Sequence, residues 1–490
     1  MKYIAVILYT LFSLTHIALG QQIPFEFLKA VSEETSTANG NVSHMKIDSE
    51  WTHYTEIPKE CHQIDLSKYE DEVVVRIEVP PKVPLSKYLS MLKSGKLSRG
   101  FKVWSACKNR GFFDIQVNRY EFEKMTNLLE KRGWNISYTV IIEDLPQMVF
   151  ESYPQKCEIQ HNRYVPSMVD EIDSVEVSKI GDENGTFFKS YHPLESIYSC
   201  IELLENAYPN ILNVKDIGKT SEGRPFKIIH ISTGKEEDKR TLIITAGIHA
   251  REWISVSSAL YVVLKLLESY KENTESLLSK FNFIIVPSLN PDGYVYTWTQ
   301  DRLWRKNRQS SASSDCVGID IDHSFGFHWS TSREGPCGDE YSGKKPLDAV
   351  EARIWDSFMQ QINTTHQIVA YIDLHSYAQE ILYPYAYSCD ESPLDEENLI
   401  ELAYDMSKAI RLLEGRLYDA LPACVENDLD LTPDFGSGTA LDYMYHYKAR
   451  WAYQIKLRDT GNHGFLLPSK YIEPVGNEVF SAINYLVNFV

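Results

Sequence analysis

His249-Ala250-Arg251-Glu252 sets an imidazole and a carboxylate three residues apart, and a second imidazole follows at His375. Three-residue spacing puts both side chains on one side of a turn, where they can converge on a cation. Two imidazoles and a carboxylate leave a fourth position open, which is the arrangement of a catalytic zinc site. The short motif alone carries little weight. With 14 His and 68 acidic residues, about two His-x-x-Asp/Glu matches arise by chance. A lone histidine after a strand is more often structural than a ligand. Asp320 could orient a ligand imidazole from behind, or it could simply cap a loop.

What raises the odds is where these residues fall. Leu242 to Thr245, Phe281 to Val286 and Ile368 to Leu374 are mostly apolar runs of strand length, suited to central strands covered on both faces. His249 follows the first run and precedes a long apolar-rich helix over 254–269, and His375 stands just past the third. Ligands of open α/β sheets gather outside the carboxyl ends of the strands. Leu194, Ile197, Ile201 and Leu204 mark another helix. Upstream lies a different pattern. Val73 to Val79, Gly111 to Val117 and Ser137 to Ile142 read as strands. Leu85, Tyr88, Leu89 and Leu92, and then Phe122, Met125, Leu128 and Leu129, repeat at helical spacing. Such a mixture in ~80 residues predicts a small α+β sandwich. The expected division is a signal peptide at 1–20, a polar segment at 21–65, the α+β unit at 66–150, an acidic linker at 151–186 and an α/β domain at 187–490. The linker carries eight Asp/Glu against three Lys/Arg and no dibasic pair.

The chain has 490 residues, 43% of them hydrophobic, so it has room for more than one domain and a sizeable core. A net charge of -19 argues against nucleic acid and anionic membrane as main partners. Lys2, the apolar run Ile4 to Leu14 and the small residues of Ala18-Leu19-Gly20 predict secretory entry, and no transmembrane segment is expected elsewhere. Eight cysteines in a secretory chain favour disulfides, with on the order of a hundred possible full connectivities. Asn41, Asn135, Asn184 and Asn363 each open a glycosylation acceptor.

The chain resembles the zinc metallocarboxypeptidases of the A/B type. Gly247-Ile248-His249-Ala250-Arg251-Glu252-Trp253, Asn290-Pro291-Asp292-Gly293-Tyr294, Arg302-Leu303-Trp304-Arg305-Lys306 and Cys316-Val317-Gly318-Ile319-Asp320 carry the likeness. Leu374-His375-Ser376-Tyr377, Ile381-Leu382-Tyr383-Pro384-Tyr385, Leu457-Arg458-Asp459-Thr460-Gly461 and Gly464-Phe465-Leu466-Leu467-Pro468 complete it, in family order. The resemblance implies a mixed, mostly eight-stranded sheet flanked by helices, with the unit at 66–150 as an activation-type domain. It implies one Zn2+ per chain on His249, Glu252 and His375, and a disulfide between Cys316 and Cys337. Arg251, Arg305, Ser376, Tyr377 and Phe465 match substrate-contacting positions, and Leu441 the one that sets side-chain preference.

Three departures stand out. Asp322-His323 replaces the Asn-Arg pair that grips a substrate's terminal carboxylate. Asp434 replaces the mobile tyrosine, and Lys456 the catalytic glutamate. The reaction needs a base to take a proton from zinc-bound water and return it to the leaving amine. An ammonium is donor-only and cannot. Losing a general base costs on the order of 10² to 10⁴ in rate. A carboxylate at Asp322 would also repel the substrate's own. Lys456 could pair with Asp322 or Asp434 across the old pocket, or the charges could stand solvated and apart.

The expectation is therefore a pseudoenzyme with no catalytic residue, similar to the inactive fungal metallocarboxypeptidases, in which lysine likewise stands for the glutamate. That resemblance implies a secreted or vacuolar glycoprotein linked to cell-wall organisation, with a peptide or protein ligand in the former cleft and a monomeric chain. The alternative is an active carboxypeptidase of altered specificity, in which burial and the metal turn Lys456 into a neutral amine base.

Overall fold

The computed structural model describes residues 55, 58–79, 100–107, 110–131, 133, 136–160, 163–166, 186–234, 240–272, 276–310, 315–332, 335–426 and 436–490. The chain divides into residues 1–53, which lie outside this set, and residues 54–490, to which everything below refers. The leader, the helical repeat from Leu85 to Leu92, Asp434 and the acceptors Asn41, Asn135 and Asn184 also lie outside the described residues.

The upstream unit is a four-stranded antiparallel sheet. Its strands are β1 (Glu72–Glu78), β2 (Phe101–Cys107), β3 (Phe112–Asn118) and β4 (Ser137–Ile142), in the order β2-β3-β1-β4. Val73, Val75 and Ile77 alternate onto one face with Phe113, Ile115 and Val117, as a period of two requires. Helix α1 (Arg119–Glu130) covers that face with Phe122, Met125 and Leu129. Asn118 caps it by accepting from Glu121 N–H at 3.3 Å. Helix α2 (Leu145–Ser152) is capped likewise by Asp144, and β5 (Cys157–Gln160) and β6 (Arg163–Pro166) form a two-stranded ribbon in the acidic segment. Residues 58–69 pack here too, burying Cys61, Ile64, Leu66 and Tyr69.

The larger unit begins with helix α3 (Leu194–Ala207). Strands β7 (Leu212–Lys219), β8 (Pro225–Ile231), β9 (Arg240–Ala246) and β10 (Phe281–Val286) follow, with helices α4 (Trp253–Lys271) and α5 (Pro291–Thr299) after β9 and β10 respectively. Then come α6 (Val350–Ile362), β11 (Gln367–Ser376), β12 (Glu380–Tyr383), α7 (Glu396–Glu414), β13 (Asp419–Pro422), α8 (Ala440–Tyr447), β14 (Trp451–Leu457) and α9 (Ile472–Phe489). The eight strands form one mixed sheet in the order β13-β12-β14-β11-β9-β10-β8-β7, the eight-stranded α/β architecture expected from the resemblance. The central pairs β10–β9, β9–β11 and β11–β14 are parallel. All six residues of β10 are buried, the signature of a strand covered on both faces.

On one face Ile243, Tyr371 and Ala452 join a core with Trp355, Phe358 and Met359 of α6 and Tyr443 and Met444 of α8. Along β11 the same face continues through Asp373 to His375, because side chains two apart share a side. Register places Lys456 beside His375 at its end. The strand run extends through Ser376 rather than stopping before His375, since β14 pairs with it as far as Ser376↔Leu457. Cys316 and Cys337 are bonded, with Cα atoms 5.1 Å apart. A second bridge, Cys389–Cys424, ties the loop after β12 to the end of β13. Cys107 and Cys200 are buried free thiols. No helix of the described residues is long and apolar enough to cross a membrane.

Candidate metal centre and cleft

The first two candidate ligands are held by the turn that follows β9. Gly247 takes a positive φ of 62°, and a Cβ there would meet Val256 Cγ2 at 2.7 Å, so glycine is required for the chain to double back. Ala250 N–H donates to Arg305 O at 2.9 Å, and Glu252 N–H to His249 O at 3.2 Å. Ser255 Oγ donates to Glu252 O and accepts from Gly247 N–H, pinning the turn to the start of α4. His375 reaches the same point from the end of β11.

His249, Glu252 and His375 are buried and converge, each offering a ligand atom within 4.8 Å of the others. His249 Nδ1 lies 2.9 Å from Glu252 Oε1, and His375 Nδ1 lies 3.2 Å from Oε2. Oε2 also accepts from Ser376 N–H at 2.9 Å. Despite its burial, Glu252 is held far below the usual carboxylate range by the two imidazoles. Behind them, His249 Nε2 lies 3.3 Å from Asp320 Oδ1 and His375 Nε2 lies 3.2 Å from Asp373 Oδ2. Both Nδ1 atoms thus face one carboxylate while both Nε2 atoms face an outer one. That donor set suits a tetrahedral Zn2+ with an open position. Asp320 takes both expected forms: it faces His249 from behind, and its Oδ1 accepts from Asp322 N–H at 3.2 Å as the cap of the turn that follows. Its Oδ2 is bound by Arg305 Nε at 3.0 Å and Nη2 at 2.8 Å. Arg305 and His249 hold the buried Asp320 well below the carboxylate range, and Asp320 raises Arg305.

The other expected residues line up around this centre, with some changes of role. Arg251 is fully buried with Phe465 packed on its guanidinium at 4.1 Å. Its Nε and Nη1 have no hydrogen-bond partner among the described residues, and burial lowers its pKa. Ser376 lends its backbone to Glu252, while its hydroxyl is unpartnered. Tyr377 donates its hydroxyl to Asp114 Oδ2 of β3 at 2.8 Å. Asp322 and His323 are buried rather than open to a ligand. Asp322 Oδ1 accepts from Ala440 N–H at 2.9 Å at the start of α8, and His323 Nδ1 lies 3.1 Å from Ser437 O. Leu441 is buried in the first turn of α8.

Lys456 is half-buried on β14. Register sets His375 beside it on one side and Glu380 opposite it on β12. Residues opposed in an antiparallel pair share a face, with Cβ atoms ~5 Å apart. Glu380 is thus a carboxylate on the same face as Lys456, whereas Asp322 is bound to the start of α8. The Glu380 carboxylate is buried, and its Oε1 also faces Cys107 Sγ at 3.6 Å. Sequence reasoning missed both Glu380 and Asp373. The signal was there: an acidic residue inside an otherwise apolar strand run.

The upstream sheet covers this cleft. Trp104 packs on Phe465 with ring centroids 5.1 Å apart. Arg76 binds Asp114 through Nε and Nη2 at 2.7 and 2.8 Å and donates to Thr460 O at 2.7 Å.

A profile of the zinc carboxypeptidases, the M14 peptidases, matches residues 197–482. The chain belongs to the zinc carboxypeptidase family. The inactive metallocarboxypeptidase ECM14 of Saccharomyces cerevisiae is 50% identical over 309 residues, covering 62% of this chain and 72% of that protein. Its namesake in Ajellomyces capsulatus (strain NAm1 / WU24) is 37% identical over 447 residues, covering 86% of this chain and 71% of that one. Among solved structures, thrombin-activatable fibrinolysis inhibitor superposes with a TM-score of 0.70 at 26% identity, over 86% of this chain and 99% of that one. The carboxypeptidase A of Helicoverpa armigera, at 24% identity and a TM-score of 0.69, covers 85% of this chain and 96% of that one and shares the fold. Kinship is thus with the inactive members of the zinc carboxypeptidases.

Proposed function

We propose that this zinc carboxypeptidase homologue holds one Zn2+ on His249, Glu252 and His375 without turning over peptides, and acts by binding. When bound, the ion would supply Lewis acidity at the open position. The chain's own residues do not complete the reaction. The observation that carries this is Lys456 beside His375 and opposite Glu380. An ammonium with a carboxylate across from it has every reason to keep its proton. The second deficit is the carboxylate grip, where Asp322 spends one oxygen on the α8 backbone. What the cleft retains is Arg251, buried with no hydrogen bond at Nε or Nη1 and with Asp339 Oδ2 3.8 Å from Nη1, a donor set for a backbone carbonyl or carboxylate of a peptide or protein ligand.

Binding is latent in the intact chain, because Asp114 occupies Tyr377 and Trp104 covers Phe465. The apolar leader and the Asn-x-Ser/Thr acceptors, of which Asn363 ends α6 at an exposed position, support a secreted or vacuolar glycoprotein. Likeness to the inactive fungal group supports a role in cell-wall organisation.

Metal analysis and a peptide-library assay on the full chain, before and after proteolytic release of the upstream unit, test this together. The expected result is one zinc per chain and no release of C-terminal residues in either form. Ligands that bind only the folded state stabilise it by about 2.7 kcal/mol at a hundredfold excess over Kd, so chelation should lower the melting temperature. Chelator-sensitive release of C-terminal residues would overturn the pseudoenzyme reading, and a folded chain that takes up no zinc the metal reading.

A further inference from the structure

We propose that Asp373 is a positioning residue for the zinc centre, holding His375 from behind as Asp320 holds His249, so that each imidazole is clamped between the metal and its own carboxylate. This rests on the zinc reading above and deepens it.

Asp373 and His375 lie two residues apart on β11, on the same face. Both are 1% exposed. Asp373 Oδ2 and His375 Nε2 are 3.2 Å apart, and neither atom has a well-aligned hydrogen bond to any other group. Burying an ionised carboxylate without a partner is costly. Asp320 meets that cost with Arg305, but no arginine or lysine is paired with Asp373 among the described ion pairs. Its other contact is neutral. Thr245, opposite Asp373 on β9, donates its hydroxyl to Oδ1 at 2.7 Å. With that hydrogen committed, Tyr371 must donate to Thr245 Oγ1, also at 2.7 Å. The Tyr371–Thr245–Asp373 relay fixes one oxygen and turns the other onto His375 Nε2. A metal held by His375 would supply the positive charge that Asp373 otherwise lacks.

Asp322, Asp373 and His375 also form a second group of potential ligand atoms within 4.8 Å of one another. The bridging alternative, a second cation there, is weaker because Asp322 already gives an oxygen to Ala440 N–H.

The test uses the full chain, stripped and reloaded with zinc or Co2+, with affinity read by competition against a chromophoric chelator. Asp373→Asn keeps the shape and the Thr245 contact but loses the charge, whereas Asp373→Ser loses both. Outer-sphere partners of this kind are worth roughly 10- to 100-fold in metal affinity. Asp373→Ser should therefore weaken zinc by that factor, with Asp373→Asn in between, one metal per chain throughout and an altered Co2+ spectrum. A merely structural Asp373 would instead lower the melting temperature of the metal-free protein and leave affinity and spectrum unchanged, which overturns the proposal. Two zinc ions in the parent and one in Asp373→Ser would overturn it in favour of the bridging site. A parent chain that takes up no zinc fails at the earlier step and removes the zinc reading with it.

Discussion

At the scale of single residues, the lysine at the position of the family's catalytic glutamate came with company. Glu380 faces it across β12–β14, and Asp373 stands behind the neighbouring His375. Restoring one side chain should therefore not restore the old site. Lys456→Glu would set two carboxylates directly opposite each other, which is destabilising in a sheet. The expected result is a loss of about 1 kcal/mol or more in thermal or denaturant unfolding, and still no release of C-terminal residues. Adding Glu380→Gln should recover the stability but not the activity, because Asp322 and His323 remain. Turnover from Lys456→Glu alone would show that the rest of the pocket had stayed competent.

At the scale of elements, two helices begin on carboxyls that lose their protons only near neutral pH. Glu351, in the first turn of α6, is pushed up to about 7 by burial, against a 2.6 Å bond from Asn307. Asp442, in the first turn of α8, is also pushed up to about 7 by burial, although it accepts from Ala386 and Tyr387 N–H. Both raised values lie above those of the unfolded chain, so the folded state binds more protons between pH ~4 and ~7. Their contribution is fully present below that window and lost as pH rises through 7. Melting temperature should fall between pH 5 and 8, and Glu351→Gln, neutral at every pH, should flatten that decline. The same elements show what sequence could and could not reveal. Strands β4 and β10 were legible to the residue, because runs rich in β-branched or apolar residues have few other uses. The convergence of His249, Glu252 and His375 was legible through the motifs around them. The Cys389–Cys424 bridge was not, since its partners are local to neither chain nor motif. Asp322 was read as a pocket residue from its sequence position. Only the fold shows it binding the first turn of α8, a backbone group from 118 residues away.

At the scale of the molecule, the upstream sheet is bound to the cleft by polar anchors around one aromatic contact. Arg76 is the centre of these, joining Asp114 to Thr460. Asp114 is wholly buried, and removing one partner of a buried ion pair typically costs about 3–5 kcal/mol. Arg76→Ala should therefore loosen the upstream unit, seen as faster proteolytic separation of residues 54–186 from the remainder at unchanged zinc content. No change in cleavage rate would mean that the contacts of 58–69 and Tyr153 with α5 and the residues just after it, such as Tyr153 to Thr297 O and Tyr69 to Asp301, carry the attachment instead.

Gly461, the residue after the Thr460 carbonyl, adds one more consequence. A Cβ built there would run into Arg76 Nη2 and come within 3.0 Å of Asp114 Oδ2. One added methyl, at a backbone φ of 115° that itself disfavours a side chain, would thus act as a wedge against the Arg76–Asp114 pair while changing no charged or aromatic group of the chain. Gly461→Ala is accordingly a key to the closed form. It would let whatever the cleft recognises be fished for directly, in a protein that still carries all of its own sequence.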